Sequence, residues 1–260
     1  MADSVIINSV DRALDVILYM YKKGREVSVT EISKDLGVYK STIFRTLATL
    51  QNKRFVMQDQ NTGKYSLGVE FYIIGASLNN QSGLIHLVKP YAQKLNHEFN
   101  EAVNVSVLEK ESGGSYQSVI VYKEASYHGL NANTEIGSDN DCYCAAIGKC
   151  LLAFTPDIDL SVYKEHKMQK YTDKTITTIS GLKKELAKVR EDGYAMDDEE
   201  REKGLLCIGA PILMNGEALA AISISGPESR MRSDLEHKIE FVKSIGEKIS
   251  LEISADPETW

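Results

Sequence analysis

Apolar positions in the first quarter of the chain recur at helical spacing. Val10, Leu14, Ile17, Leu18 and Tyr21 mark an amphipathic helix over about residues 9–23, closed by Gly24 as a left-handed cap. A shorter helix follows, in which Ser28 and Glu31 fit an S-x-x-E capping box and Ile32 and Leu36 lie four apart on one face. Gly37 supplies the backbone freedom for a sharp turn, and Val38 can tuck inward at the corner. Ile43, Leu47 and Leu50 then repeat at i, i+4 and i+7, which turns Lys40, Ser41, Thr42, Arg45, Thr46 and Thr49 outward. Two β-prone runs, residues 55–58 and 65–67, flank a turn-rich loop and read as a hairpin wing. Three helices and a wing make a winged helix-turn-helix, with a polar helix face of the kind a major groove meets.

Residues 68–80 are too apolar for an exposed linker and read as a helix that packs on something, such as a partner subunit. Gly83 restarts a helical pattern through Leu84, Leu87, Val88, Tyr91, Leu95 and Phe99, with Pro90 marking a kink or break. Beyond residue 101 the period changes. Val103, Val105 and Val107 alternate with polar neighbours, and residues 119–122 follow a Gly-Gly turn, which predicts a hairpin. Helices are predicted at 145–154, 181–192 and 233–254, and strands at 194–196, 205–213 and 218–225, with Asn215-Gly216 a strong hairpin turn between the last two. The fold class is α+β with a mostly antiparallel sheet. The chain divides into a DNA-binding domain at 1–67, a linker helix at 68–82 and a second domain at 83–260.

Charge sharpens the first assignment. The chain carries a net −7, yet residues 1–67 hold ten Lys plus Arg against seven Asp plus Glu. No acid lies between Asp35 and Asp59, whereas Lys40, Arg45, Lys53 and Arg54 do, and Lys64 lies in the wing. A surface that faces phosphates needs that asymmetry. Hydrophobic content of 43% is ordinary for a globular protein. The first residues lack a basic segment followed by an apolar one, and no 18-residue apolar run occurs, so the expectation is a cytoplasmic protein with no membrane partner. The four cysteines, Cys142, Cys144, Cys150 and Cys207, read as reduced thiols.

Several separated segments together resemble the IclR-type transcription regulators over essentially the whole chain: SVDRALDVILYM, VTEISKDLGVYKSTIFRTLATL, the wing ending in KYSLG, AAIGKCLLA, GYAMDDEE, and GLLCIGAPIL followed by AAISISGP. The resemblance implies a winged helix-turn-helix joined by a linker helix to a GAF-like effector-binding domain. It also implies a dimer or dimer of dimers on a palindromic double-stranded operator, more often as a repressor. The small effector, an organic acid or aromatic metabolite, would be held by Ala146, Ile147, Asp197, Cys207, Ser223 and Ser225. The chemistry is sensible by itself, because a helix start offers free N–H groups to a carboxylate, and Ser223 and Ser225 share one strand face. Where the family usually has Leu-His-(Ala or Cys)-Thr, this chain has Cys142-Tyr143-Cys144-Ala145, which could reshape the pocket.

Other readings of these residues are weaker. Cys142 and Cys144 with Cys207 and a histidine lack zinc-site spacing, and Cys207 has no local base to make it a nucleophile, so no metal, cofactor or catalytic residue is expected. Most of the run Asp197-Asp198-Glu199-Glu200 is expected to be solvated, and Lys149 to lie on the surface. The competing class is an enzyme or metabolite-binding protein whose N-terminal domain serves only in dimerisation. Retention of a genomic DNA fragment separates the two.

Overall fold

The computed structural model describes residues 6–81, 83–110, 114–132 and 134–255. Ser82, the last residue of the predicted linker, and Gly113 of the predicted Gly-Gly turn lie outside them. Contacts divide the chain into two units, residues 1–81 and 82–260.

The first unit runs α1 (Asn8–Lys23), α2 (Val29–Leu36), α3 (Lys40–Asn52), β1 (Val56–Gln58), β2 (Tyr65–Leu67) and α4 (Val69–Gln81). Gly24 and Gly37 take the left-handed conformation that ends α1 and α2. Ser28 Oγ accepts the Glu31 N–H at 3.2 Å, and the Glu31 carboxylate pairs with Arg25. Ile32, Ile43, Leu47 and Val56 close the core. Phe55 bonds its N–H back to Leu50, so the wing strand starts one residue later than its β-prone run. Val56 pairs with Leu67, and Val27 bridges Tyr65 from the loop before α2.

The register of α1 differs from the sequence reading. Its core side is Val16 and Met20 with Ala13 and Ile17, whereas Val10, Leu14, Leu18 and Tyr21 are each more than half exposed. The helix carries two apolar stripes, and the one with the smaller side chains is the one packed inward. Periodicity finds an apolar stripe but does not say which of two is covered.

The second unit runs α5 (Gly83–Phe99), β3 (Ala102–Lys110), β4 (Tyr116–Glu124), β5 (Asp139–Asp141), α6 (Ala146–Phe154), α7 (Val162–Glu165), α8 (Ile179–Asp192), β6 (Ala195–Asp198), β7 (Leu205–Met214), β8 (Glu217–Pro227), α9 (Glu228–Met231) and α10 (Leu235–Ala255). α5 continues through Pro90. β5, α7 and α9 are short elements that periodicity did not show. Asn215 and Gly216 both have positive φ, 54° and 84°, as the β7–β8 hairpin turn requires.

Strand order is β5-β4-β3-β8-β7-β6, with every neighbouring pair antiparallel. Alternation sorts the side chains to two faces. Val103, Val105, Ile208, Ile222 and Ile224 pack with Val242, Ile245 and Ile249 of α10 and Leu95 of α5. The opposite face meets α6 and α8 through Ala221, Leu151, Leu152, Leu182 and Leu186. On that second face the β3, β7 and β8 positions nearest α6 are polar or small, and they make the site.

Candidate functional site

Two regions concentrate the chemistry, one in each unit. In the first, α3 presents Lys40, Ser41, Arg45 and Thr49 to solvent, while Thr42 and Thr46 are half-buried and line a cleft with Ser9 and Arg12 of α1. Lys53, Arg54 and Lys64 are exposed, and Arg54 is ion-paired to Glu70 of α4 at 2.8 Å. The sequence reading missed Tyr39 and Phe44, which stand 85% and 57% exposed at the start and on the outward face of α3. A solvent-facing aromatic inside a helix-turn-helix was the available signal, since apolar groups in a major groove contact thymine methyls.

In the second unit the register assembles a polar row across the sheet. Ser225 of β8 lies beside Cys207 of β7, which lies beside Asp197 of β6; Ser223 pairs with Asn104 of β3. Gly209 lets the first turn of α6 sit low on this face, because a Cβ there would stand 3.2 Å from the Ile147 nitrogen. Ala146, Ile147, Asp197, Cys207, Ser223 and Ser225 thereby line one cavity of about 70 Å³. The N-cap of α6 is Ala145, whose side chain makes no capping bond, so the first-turn N–H groups face a site suited to an anion.

Asp197 serves the local backbone as well as the cavity. It is buried, its Oδ1 accepts the N–H groups of Glu200 at 2.7 Å and Arg201 at 3.2 Å, and burial outweighs those bonds to push its carboxyl up to about 6. The native state therefore holds a proton that the unfolded chain has released, and stability falls as pH rises from about 4 to about 6. Asp197→Asn keeps the acceptor oxygen and removes the titration. Relative to wild type, the variant is expected to gain about 2–3 kcal/mol across that interval, read from urea unfolding midpoints. A wild-type–variant difference that does not change with pH would show that Asp197 is ionised throughout.

Burial pushes the Cys207 thiol well above its ordinary value, which suits a neutral hydrogen-bonding group and not a thiolate nucleophile. All four cysteines are free, and no group of three or more His, Cys, Asp or Glu able to hold a metal occurs among the described residues.

Three expectations about neighbouring residues are corrected. Lys149 is fully buried, with Nζ 2.5 Å from Glu200 and 3.0 Å from Glu185. Burial favours its neutral form, but the two carboxylates outweigh that and hold its pKa above the ordinary lysine value. The acidic run is not mainly solvated. Asp197 and Glu200 are buried, and Asp198 and Glu199 are half-buried and paired with Arg232 and Lys174. Cys142 does not line the cavity; it is core packing beneath Gly148 of α6, so of the three departures from the family pattern, Cys142, Tyr143 and Ala145, only Ala145 borders the pocket. Sequence reasoning also missed Asn104, Ser106, Thr134 and Arg201 on the cavity wall. Asn104 and Ser106 alternate with Val103, Val105 and Val107, so strand period carried their signal.

A family model described as IclR helix-turn-helix domain matches residues 9–60, and one described as Bacterial transcriptional regulator IclR C-terminal matches residues 76–251. The HTH-type transcriptional regulator BhcR of Paracoccus denitrificans is 33% identical over 88% of the chain and 81% of its own length. The transcriptional repressor IclR of Escherichia coli is 30% identical over 88% and 83%. A crystal structure of an IclR homologue from Microbacterium hydrocarbonoxydans complexed with 4-hydroxybenzoate aligns with a TM-score of 0.78 at 17% identity, over 94% of this chain and 99% of that one, and so shares its fold.

Proposed function

The chain belongs to the IclR family of bacterial transcription regulators, and from that premise we propose that it is a cytoplasmic repressor whose grip on a palindromic operator is set by a small metabolite bound under α6. The DNA-binding domain is assigned to residues 1–67, the linker helix to 68–82 and the effector-binding domain to 83–260. The observation that carries the regulatory half is the convergence of Ala146, Ile147, Asp197, Cys207, Ser223 and Ser225 on one cavity. Helix N-terminal amides and serine hydroxyls are groups that bind and orient a guest, and on them the site reads as a sensor. If so, Ser223→Ala weakens the response of DNA binding to metabolite; an unaltered response in a cooperatively melting variant removes Ser223 from the pocket.

For the DNA half, Lys40, Ser41, Thr42, Arg45, Thr46 and Thr49 are assigned to the groove-facing side of α3, and Lys53, Arg54 and Lys64 to phosphates. Arg45→Ala is expected to weaken operator binding by about 1–3 kcal/mol if it meets a base edge. Unchanged affinity in an anisotropy titration would exclude it.

A palindromic operator asks for a symmetric protein, and α1 offers a surface for one. Ile7, Val10, Leu14, Leu18 and Tyr21 are exposed along it, an apolar stripe that a monomer leaves in water. A second copy of this chain is the proposed occupant, in a dimer or dimer of dimers. Leu14→Glu with Leu18→Glu is expected to lower the mass in sedimentation equilibrium. An unchanged mass places the subunit contacts elsewhere.

A further inference from the structure

The residues given by the family resemblance include no cation, yet the cavity wall has one. Arg201 follows the acidic run and lines the cavity beside the start of α6. Its guanidinium stacks 4.0 Å over the Tyr171 ring, and its Nη1 lies 3.9 Å from Asp141 Oδ2, too far for a hydrogen bond. Asp141 is already served, because Oδ2 accepts from Tyr171 at 2.6 Å and Tyr143 at 3.4 Å, and Oδ1 accepts from Gln117 at 3.0 Å. Arg201 Nη1 is therefore a buried donor with no hydrogen-bond acceptor among the described residues. Buried guanidinium donors do not stay unpaired without cost, and a bound anion supplies what this one lacks.

A second orphan lines the same cavity. Ser106 is fully buried, and its Oγ has no hydrogen-bond partner among the described residues. Its cross-strand neighbours are Ile120 and Ala221, neither of which carries a polar side chain. Asn104, one pleat away, receives Thr134 Oγ1 on its Oδ1 at 2.8 Å. Ser106 is thus a fully buried hydroxyl on the cavity wall that awaits a guest.

We infer that Arg201, with the first amides of α6, receives the carboxylate of the effector, and that Ser106 reads a second oxygen on it, so that the ligand is a compact aliphatic hydroxy or oxo acid. The inference rests on the pocket assignment made above. The size of the space agrees, since about 70 Å³ is less than half of the roughly 150 Å³ of an apolar cavity that takes a benzene ring. An aromatic ring would need the walls to move apart. The negative charge opposite Arg201 is that of Asp141, and the acid on the cavity wall is Asp197. With its carboxyl held up to about 6, Asp197 repels a bound anion less as pH falls.

The test is calorimetry and thermal shift on the full chain with C3 to C6 hydroxy and oxo acids, their primary amides, and the unsubstituted acids of equal length. At least one hydroxy or oxo acid binds and raises the melting temperature, and its amide binds at least tenfold more weakly. Arg201→Gln weakens the acid at least tenfold and leaves the amide unaffected, whereas Arg201→Lys, which keeps the charge, stays within a few-fold of wild type. Ser106→Ala abolishes the preference for the hydroxy or oxo acid over the unsubstituted one. Equal binding of acid and amide, full acid affinity in a cooperatively melting Arg201→Gln protein, or no binding by any acid overturns the inference. Ser223→Ala separates the two levels: if it weakens the acid and Arg201→Gln does not, only the Arg201 assignment falls. If neither variant weakens it, the pocket assignment fails as well.

Discussion

Lys149→Met is expected to lower the stability of the protein by about 3–5 kcal/mol, the cost of removing one partner from a buried ion pair. Methionine fills much of the lysine's volume, so the effect isolates the charge. Without the ammonium, Glu200 is left buried beside Glu185, with no counter-ion for its Oε1 and no hydrogen-bond partner for its Oε2 among the described residues. Burial already pushes the Glu200 carboxyl up to about 7, so a Glu200 deprived of Lys149 takes a proton more readily still. Its folded-state value then lies further above its unfolded one, and the destabilisation grows as pH rises through neutrality. Differential scanning calorimetry at pH 6 and pH 8 should show the larger loss at pH 8. Adding Glu200→Leu to Lys149→Met should recover much of the stability, because an apolar pair of similar volume removes the stranded charge. A loss below about 1 kcal/mol would mean that water reaches this triad.

Gly148→Ala is expected to cost as much as the upper end of the 1–3 kcal/mol typical of overpacking, or more. A Cβ at this position would press on the backbone of Cys142, 2.8 Å from its carbonyl oxygen and 3.0 Å from its carbonyl carbon. Backbone cannot rotate aside as a side chain can, so α6 must lift from the chain segment beneath it. Because the first turn of α6 forms a wall of the cavity, ligand affinity should fall with stability. Gly75→Ala is the control. Gly75 lies in α4 with nothing within 4 Å of the added methyl, and alanine there should gain up to about 1 kcal/mol through helix propensity. Equal melting temperatures for Gly148→Ala and wild type would show that the close approach is not rigid.

The parts of this molecule legible from sequence are those governed by local rules. Capping at Ser28, the turn at Gly37, the Asn215-Gly216 hairpin and the two-residue period of β3 and of Ser223 and Ser225 in β8 each depend on a few neighbours, and each holds in the structure. The pocket residues were named through resemblance, but their meeting follows from antiparallel register, which places Asp197, Cys207 and Ser225 in one row.

What escaped depends on partners distant in sequence. Lys149 looks like a surface residue until Glu185 and Glu200, 36 and 51 positions away, are brought to it. A signal did exist, since α6 is apolar on nearly all sides and such helices are buried. Arg201 gave no comparable sign, for its importance lies in Asp141 being satisfied by three other donors. The stripe on α1 was visible but its direction was not, because two apolar faces compete and only tertiary packing chooses.

The central claim is that the basic, acid-free face of α3 binds DNA. It is tested most directly by a fluorescence anisotropy titration of a labelled fragment from upstream of the chain's own gene at 50 mM and 200 mM salt. Saturable binding at nanomolar protein in the lower salt, weakened on the order of a thousandfold in the higher, is the predicted result, as six or more phosphate contacts require. Absence of binding at 50 mM salt to that fragment, and to every fragment of a genomic library, would contradict the account.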